Sequence, residues 1–353
     1  MGYIYTKSGK LAKRLYFGAV LLFEGLYYTF KNRVLADGGT FVENELPTIS
    51  QDAKLVLTPN AYKAGKLYSA VPNDGTGDFT VDRNSTATYV GKDGLIKTAL
   101  ANVPRIDWRT GKAALLVEPQ STNLVAYSED FTTTIYTDGA SWNDVLDNQA
   151  ISPIGILDAS KYTLNQSGFT YALTASSNVI SGVPYTSSVY LKYLDSRYIQ
   201  LWFGSTGFNG GDVVFDLINS TFENHSGCIG NMIDIGNGWY RCSITKTTIE
   251  ASSNTGIFAI TSVTSLNSTR FNNTVIGSVY FWGAQVEQAS KASSYIPTNG
   301  TTVTRLADEI SVPTPAGVTS ITETIDGVEQ TPITTIPTTY SLPVGNINKV
   351  TMI

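Results

Sequence analysis

The sequence predicts a mainly β protein: an antiparallel, jelly-roll-like β-sandwich with an N-terminal helical segment and a small C-terminal β element. Three observations predict it. Short runs rich in Val, Ile, Tyr, Phe, Trp and Thr recur along most of the chain, separated by Gly, Asn and Asp turns and by no helical repeat. Charged residues make up only 15% of the sequence and aromatic ones 11%, a balance suited to sheets that persist by packing and hydrogen bonding. Near the N-terminus, Lys10 to Arg33 contains no proline and carries Leu, Ala, Phe and Tyr at helical spacings.

In chain order, that helical stretch is apolar on more than one face, so it must be covered, by a partner or by symmetry mates. Ala36-Asp37-Gly38-Gly39-Thr40 ends it with glycines able to take positive φ. Between Leu67 and Glu118, Phe79-Thr80-Val81, Ala87 to Val90 and Ala113 to Val117 read as strands, with turns at Asn73 to Asp78, Lys92-Asp93-Gly94 and Arg109 to Lys112. Stronger strands follow at Ser188 to Lys192, Tyr198 to Phe203, Asp212 to Leu217, Trp239 to Ile244, Ile257 to Ile260 and Ser278 to Trp282. Pro313-Thr314-Pro315 is a stiff connector to Ile321 to Ile325, Asp326-Gly327 and Val328 to Thr331, the pattern of a two-residue hairpin. Pro332, Pro337 and Pro343 confine the last residues to edge strands or extended packing.

A chain of 353 residues has room for two or three cores. It is expected to divide into an anchoring and oligomerisation segment at 1–58, a connecting β module at 59–122, the sandwich at 123–312 and the C-terminal hairpin element at 313–353. With 24 Lys and Arg against 29 Asp and Glu, no basic field exists to draw a phosphate backbone, so nucleic acid is not an expected partner. Lys7, Lys10, Lys13 and Arg14 before the apolar run from Leu15 to Phe30 resemble a signal peptide. Glu24 inside the run, and Lys31-Asn32-Arg33 before the small residues Val34 and Ala36, break that pattern. The run also falls short of the about 18–20 uninterrupted apolar residues of a membrane span. Cys228 and Cys242 match no zinc spacing and read as two buried thiols, with a cross-strand pairing left open.

An enzyme should leave a cluster of titratable groups, and the single histidine, His225, sits in Glu223-Asn224-His225-Ser226-Gly227, a stretch that reads as a polar turn. Two carboxylates suffice for glycan hydrolysis, but the strands offer only Asp212 and Asp216 on one face and Glu287 elsewhere. No catalytic residue, metal site or cofactor is assigned. Asn73 to Asp78 offers oxygen atoms for calcium, yet its spacing is not that of an EF-hand and a hydrogen-bonded turn needs the same residues. Among the aromatic residues Trp202, Trp239, Tyr240, Trp282 and Tyr295, core roles are favoured. Tyr198 and Trp202 share one strand face and could flank a glycan-binding groove.

Several segments together resemble virion appendage proteins of tailed bacteriophages. They are Arg33 to Thr40, Pro59 to Ser69, Asp82-Arg83-Asn84-Ser85-Thr86-Ala87-Thr88, Leu116-Val117-Glu118-Pro119-Gln120-Ser121-Thr122-Asn123-Leu124 running into Tyr127 to Phe131, and Gln285-Val286-Glu287 leading to Ser294-Tyr295-Ile296-Pro297-Thr298. Each is short; their shared order carries the likeness. The resemblance implies a location in the virion after assembly in the host cytoplasm, a sandwich similar to carbohydrate-binding modules, and a symmetric assembly, usually a homotrimer. It further implies contact with other capsid or tail proteins through the N-terminal segment and with host cell-surface glycans. The expectation is a structural fibre or appendage subunit that is not an enzyme; a lectin-like receptor-binding adhesin and, behind it, a glycan depolymerase are the rivals.

Overall fold

The structure is a computed structural model and describes residues 20–21, 24–43, 49–131, 136–137, 143–164, 172–268 and 275–353. Helix α1 spans Glu24–Ala36. The principal strands are β1 (Leu55–Lys63), β2 (Lys66–Val71), β3 (Phe79–Asp82), β4 (Ala114–Val117), β5 (Asn143–Ile151), β6 (Leu157–Leu164), β7 (Ala172–Val179), β8 (Pro184–Tyr193) and β9 (Tyr198–Trp202). They continue as β10 (Asp212–Asp216), β11 (Thr221–His225), β12 (Ile229–Gly236), β13 (Trp239–Thr247), β14 (Ser252–Val263), β15 (Gly277–Glu287), β16 (Glu309–Pro313), β17 (Ile321–Ile325) and β18 (Gly345–Met352). The mainly β, sandwich-like class predicted from the sequence is the class observed.

The chain forms two compact units. One contains residues 1–93, 98–119 and 306–353, and the other residues 94–97 and 120–305. The first is a frame built on one antiparallel sheet, in which β17, β18, β1, β2, β3 and β16 lie side by side and β4 joins at β18. This departs from the expected division into 1–58, 59–122 and a separate 313–353. Strands β16 to β18 are too short to bury a face alone, and they complete the sheet begun by β1 to β4. Leu55, Leu57, Phe79, Leu115, Val312, Ile321, Ile347 and Val350 meet in its core. Asp326 (φ 51°) and Gly327 (φ 80°) make the tight turn that the pattern predicts, pairing Ile325 with Val328.

The predicted helix begins later than expected. Residues 10–19 lie outside the described residues, and Val20–Leu21 pair as strand with Ile49–Ser50. One helical face, Phe30 and Val34, is buried against Val56, Ala61, Tyr68 and Ala70, so the frame's own sheet supplies a cover that the sequence left to a partner. Tyr28 and Leu35 remain exposed. Gly39 N closes the last turn on Val34 O at 2.8 Å, and a Cβ there would lie 2.8 Å from the Tyr68 ring. Among the described residues, no helix is long and apolar enough to cross a membrane. The loop Asn73 to Asp78 is a hydrogen-bonded turn: Arg33 holds both Asp78 oxygens, at 2.8 and 3.0 Å, and Asp74 accepts from Thr76.

The second unit is the sandwich. One six-stranded antiparallel sheet runs β5-β6-β15-β8-β13-β12; the other runs from Tyr136–Thr137 through β7-β14-β9-β10-β11. Their inner faces alternate as period two requires, and Tyr162, Val189, Leu191, Ile199, Leu201, Val213, Phe215, Ile244, Ile260 and Phe281 fill the space between them. The outer face of the first sheet buries a second cluster, in which Trp282 lies 4.6 Å from Tyr295 and 5.4 Å from Tyr190, with Trp239 alongside. Of the five aromatic residues singled out in the sequence, Trp239, Trp282 and Tyr295 are buried in this cluster, Trp202 is buried elsewhere, and Tyr240 packs partly buried against the inner core. Ile96 joins this cluster, and Leu95 packs on Gly155, where a Cβ would lie 2.9 Å from it. Both cysteines are free and buried.

Candidate functional site

The phrases that stood out in the sequence become the polar closures of each unit. In the frame, Arg83 Nη1 donates to Asp308 Oδ1 at 2.8 Å, Arg105 Nη2 donates to the other Asp308 oxygen, and Arg105 Nη1 donates to Glu118 Oε2 at 2.7 Å. Both arginine side chains are fully buried. Glu118 N donates to the Asp308 side chain at Oδ2, and Asp308 N donates to Glu118 O, which ties the point where the chain leaves the frame to the point where it returns.

In the sandwich, Ser121–Asn123 pair with Val303–Arg305. Asn123 uses its whole amide: Nδ2 donates to Ala284 O and Ile296 O, and Oδ1 accepts from Val125 N and Val286 N. Glu287 accepts from Ser121, Gln285 and Ser293. The Tyr295 hydroxyl bonds Ser128 Oγ at 2.7 Å and donates to Glu129 Oε1 at 2.8 Å. These groups close the structure; they do not line a cleft.

The residues picked as candidates lie elsewhere, on the outer face of the β9-β10-β11 side of the second sheet. Ile199 and Leu201 of β9 point into the core, so Tyr198, Gln200 and Trp202 point out. The register sets three rows across the strands: Tyr198, Asp216 and Thr221; Gln200, Val214 and Glu223; Trp202, Asp212 and His225. Strand spacing of about 4.8 Å and a rise of about 3.4 Å per residue put Tyr198 and His225 roughly 17 Å apart.

Much of this face is covered. Gln200, Val214 and Thr261 are fully buried, and Trp202 is 8% exposed. Gln200 Nε2 donates to Asp212 Oδ2 at 2.8 Å and to Ser268 O at 3.1 Å. At one end, Arg197 grips both Asp216 oxygens, at 3.0 and 2.7 Å, and lays its guanidinium 4.8 Å from the Tyr198 ring centre. Burial alone would raise the Asp216 carboxyl; Arg197 and the Asn219 and Ile218 amides outweigh it and hold it below the usual carboxylate range. Tyr198 is half-buried, and Thr221 and Glu223 are exposed.

At the other end stands His225, on strand β11 and not in the turn that its polar neighbours suggested. Its Nδ1 lies 2.7 Å from Asp212 Oδ2, and its side chain is 12% exposed. Lys246 Nζ fixes the two adjoining turns by donating to Gly210 O and Ser226 O. Gly211, at φ 136°, has no room for a Cβ, which would lie 2.5 Å from Cys228 Sγ. Burial pushes that thiol up to about 12.

The structure therefore gathers Tyr198, Trp202, Asp212 and Asp216 on one face, as period two predicts, and keeps Glu287 away from them in the sandwich closure. Each of the three acidic candidates is engaged by protein donors. Sequence reasoning missed Gln200 and the Asp212–His225 pair; the alternation of β9 places Gln200 on this face, and β10 and β11 form a hairpin over Leu217 to Ser220 whose second strand the polar residues Glu223 to Gly227 disguise as a turn. Among the described residues, no three His, Cys, Asp or Glu side chains sit together as ion ligands.

No protein-family model matches the chain, and no curated protein is similar to it. Solved structures similar to part of it include two that contain a CBM22-1 module. One is the CBM22-1–GH10 portion of endo-1,4-β-D-xylanase 10B from Clostridium thermocellum, complexed with xylohexaose, at 12% identity and a TM-score of 0.28. The match covers 51% of this chain and 30% of that one. The other is the CBM22-1 xylan-binding domain of a Paenibacillus barcinonensis protein, at 13% identity and a TM-score of 0.28, covering 49% of this chain and 94% of that one.

Proposed function

We propose that the chain is a non-catalytic structural subunit of a tailed-phage virion, assembled in the host cytoplasm into a fibre or appendage, whose sandwich contacts host-surface glycans. The observation that carries this reading is the ordered set of segments at 82–88, 116–131 and 285–298. They resemble phage appendage proteins in sequence, and they are the segments that close the frame and the sandwich. Such closures suit a modular display protein that must hold its shape outside the cell. The acidic candidates for hydrolysis, Asp212, Asp216 and Glu287, are tied into structural hydrogen bonds, which supports a role in binding and architecture over turnover.

The subunit self-associates, as a homotrimer in this reading, and reaches capsid or tail proteins through its N-terminal segment. Glycan contact is assigned to the Tyr198–His225 face, where an aromatic ring, a carboxylate and an imidazole reach the surface together. Mass spectrometry of purified particles tests the virion assignment: recovery from infected lysate but never from particles would end it. Deleting residues 1–35 is expected to block incorporation, and light scattering of the intact chain should return three times the 38.1 kDa chain mass. A glycan array tests the sugar reading, and release of reducing sugar from any bound polysaccharide would overturn the non-catalytic assignment.

A further inference from the structure

His225 is the chain's single histidine, and its orientation is built from behind. Asp212, 1% exposed, meets Nδ1 at 2.7 Å, and Gln200, fully buried, donates to the same Asp212 oxygen. Gln200 is itself fixed to Ser268 O. An oxygen that already accepts from Gln200 accepts from Nδ1 as well, which puts the hydrogen of the neutral ring on Nδ1 and leaves a lone pair on Nε2. Nε2 makes no hydrogen bond among the described residues. Such a buried carboxylate behind an imidazole fixes both tautomer and ring angle, an arrangement of use when the other nitrogen must meet something at a set position.

The same face carries Glu223, two residues before His225 on β11, exposed and likewise without a hydrogen bond among the described residues. Two acceptors, a carboxylate and an imidazole lone pair, thus stand on one side of the face, while among the described residues the cations near it are engaged, Arg197 by Asp216 and Lys246 by the Gly210 and Ser226 carbonyls. Acceptors of this kind suit a ligand rich in hydroxyl donors and repel a polyanion.

We infer that His225 Nε2 is a ligand contact of this face, oriented by Asp212 and Gln200, and that the ligand is a neutral, hydroxyl-rich saccharide and not a uronate-rich one. The inference rests on the glycan reading and names its chemistry.

The test starts with an array of neutral saccharides (xylan-, glucan-, mannan- and galactan-type oligomers) beside uronate-rich ones. The best-bound oligomer is then titrated into the full chain while the imidazole signals are followed by NMR. With a single histidine those signals need no assignment. Expected are binding of a neutral oligomer, a shift of the Nε2 resonance on titration, and about five- to tenfold weaker binding in His225→Ala, read on protein that still unfolds cooperatively although Asp212 has lost one partner. Asp212→Asn is expected to weaken binding less, since it loosens the ring without removing it. An array on which no saccharide binds overturns the glycan reading and this inference together. Binding that leaves the imidazole signals unmoved, or that prefers uronate-rich polymers, overturns the inference and leaves the glycan reading standing.

Discussion

Asp308 accepts a hydrogen bond from Arg83 at 2.8 Å although 225 positions separate the two in the chain. Its other oxygen takes Arg105, and both guanidinium groups are fully out of water. Removing one member of a buried ionic set leaves the remaining charges unpaired, which costs about 3–5 kcal/mol. Asp308→Ala is expected to lower stability by that amount in urea unfolding. A loss under about 1 kcal/mol would mean that the arginines find other acceptors or water.

Asn123 is expected to tolerate no isosteric acid. Asn123→Asp replaces a donor pair facing Ala284 O and Ile296 O with an oxygen, setting a carboxylate against two carbonyls in a buried site. A loss of about 3 kcal/mol or more follows from two unmet acceptors plus the buried charge. Thermal melts of Asn123→Asp and Asn123→Ala measure it, with Asp the worse of the two near neutral pH.

Trp202 and Tyr198 should behave as different kinds of residue. Trp202 is 8% exposed, so Trp202→Ala removes core and is expected to cost about 3–5 kcal/mol, confounding any binding assay. Tyr198 is half-buried beneath Arg197, and Tyr198→Ala should fold normally and weaken saccharide binding. Equal melting temperatures for the two variants would contradict the burial.

Two carboxyl groups should pull stability in opposite directions with pH. Asp216, held low, contributes stability that is present above the ordinary carboxylate range, about pH 4, and lost as pH falls through its folded value. Glu129 is raised, chiefly by burial and further by the Asp158 charge, against the Tyr295 hydroxyl that lowers it. Its contribution is present below about pH 4 and lost as pH rises through its folded value. Glu129→Gln keeps an acceptor for Tyr295 and abolishes the titration, so it should raise the unfolding midpoint near neutral pH and leave it unchanged in acid. The same gain at both extremes would rule out the charge as its source.

Both thiols should be silent in the folded chain. Burial raises Cys228 to about 12 and lifts Cys242, fully enclosed, well above the ordinary thiol range. A thiolate-specific reagent at about pH 8 is expected to titrate neither until denaturant is added, and then both. Prompt reaction of one thiol in the native protein would place it at an opening in the core.

What the sequence disclosed and withheld has a physical pattern. The alternation of Tyr198 to Trp202 states which side chains share a face, and Asp326-Gly327 states its own turn, because both are decided by neighbours in the chain. Pairing of β16 to β18 with β1 to β4 is decided by partners some 200 or more residues away, and no local composition encodes it. His225 read as a turn because Asn, Ser and Gly surround it; cross-strand pairing with β10 overrides that preference. Gln200 is polar and carries no local sign of burial, yet it is fully enclosed with its amide donating to Asp212 and Ser268. The likeness carried by Arg83, Glu118, Asn123, Glu287 and Tyr295 was visible as a phrase order, but its meaning as a set of buried latches needed coordinates.

The stitches at both ends of the sandwich bear on how such a chain can change. Glu118 and Asp308 bond each other on the frame side, and Ser121–Asn123 zip to Val303–Arg305 on the sandwich side. Residues 120–305 therefore begin and finish at one doorway, like a cassette with a single socket. A genetic exchange that replaced them wholesale would have to keep those two ends side by side and supply a new cover for Leu95 and Ile96. A lineage could trade residues 120–305 while inheriting intact the sheet that Leu55–Lys63 and Gly345–Met352 share.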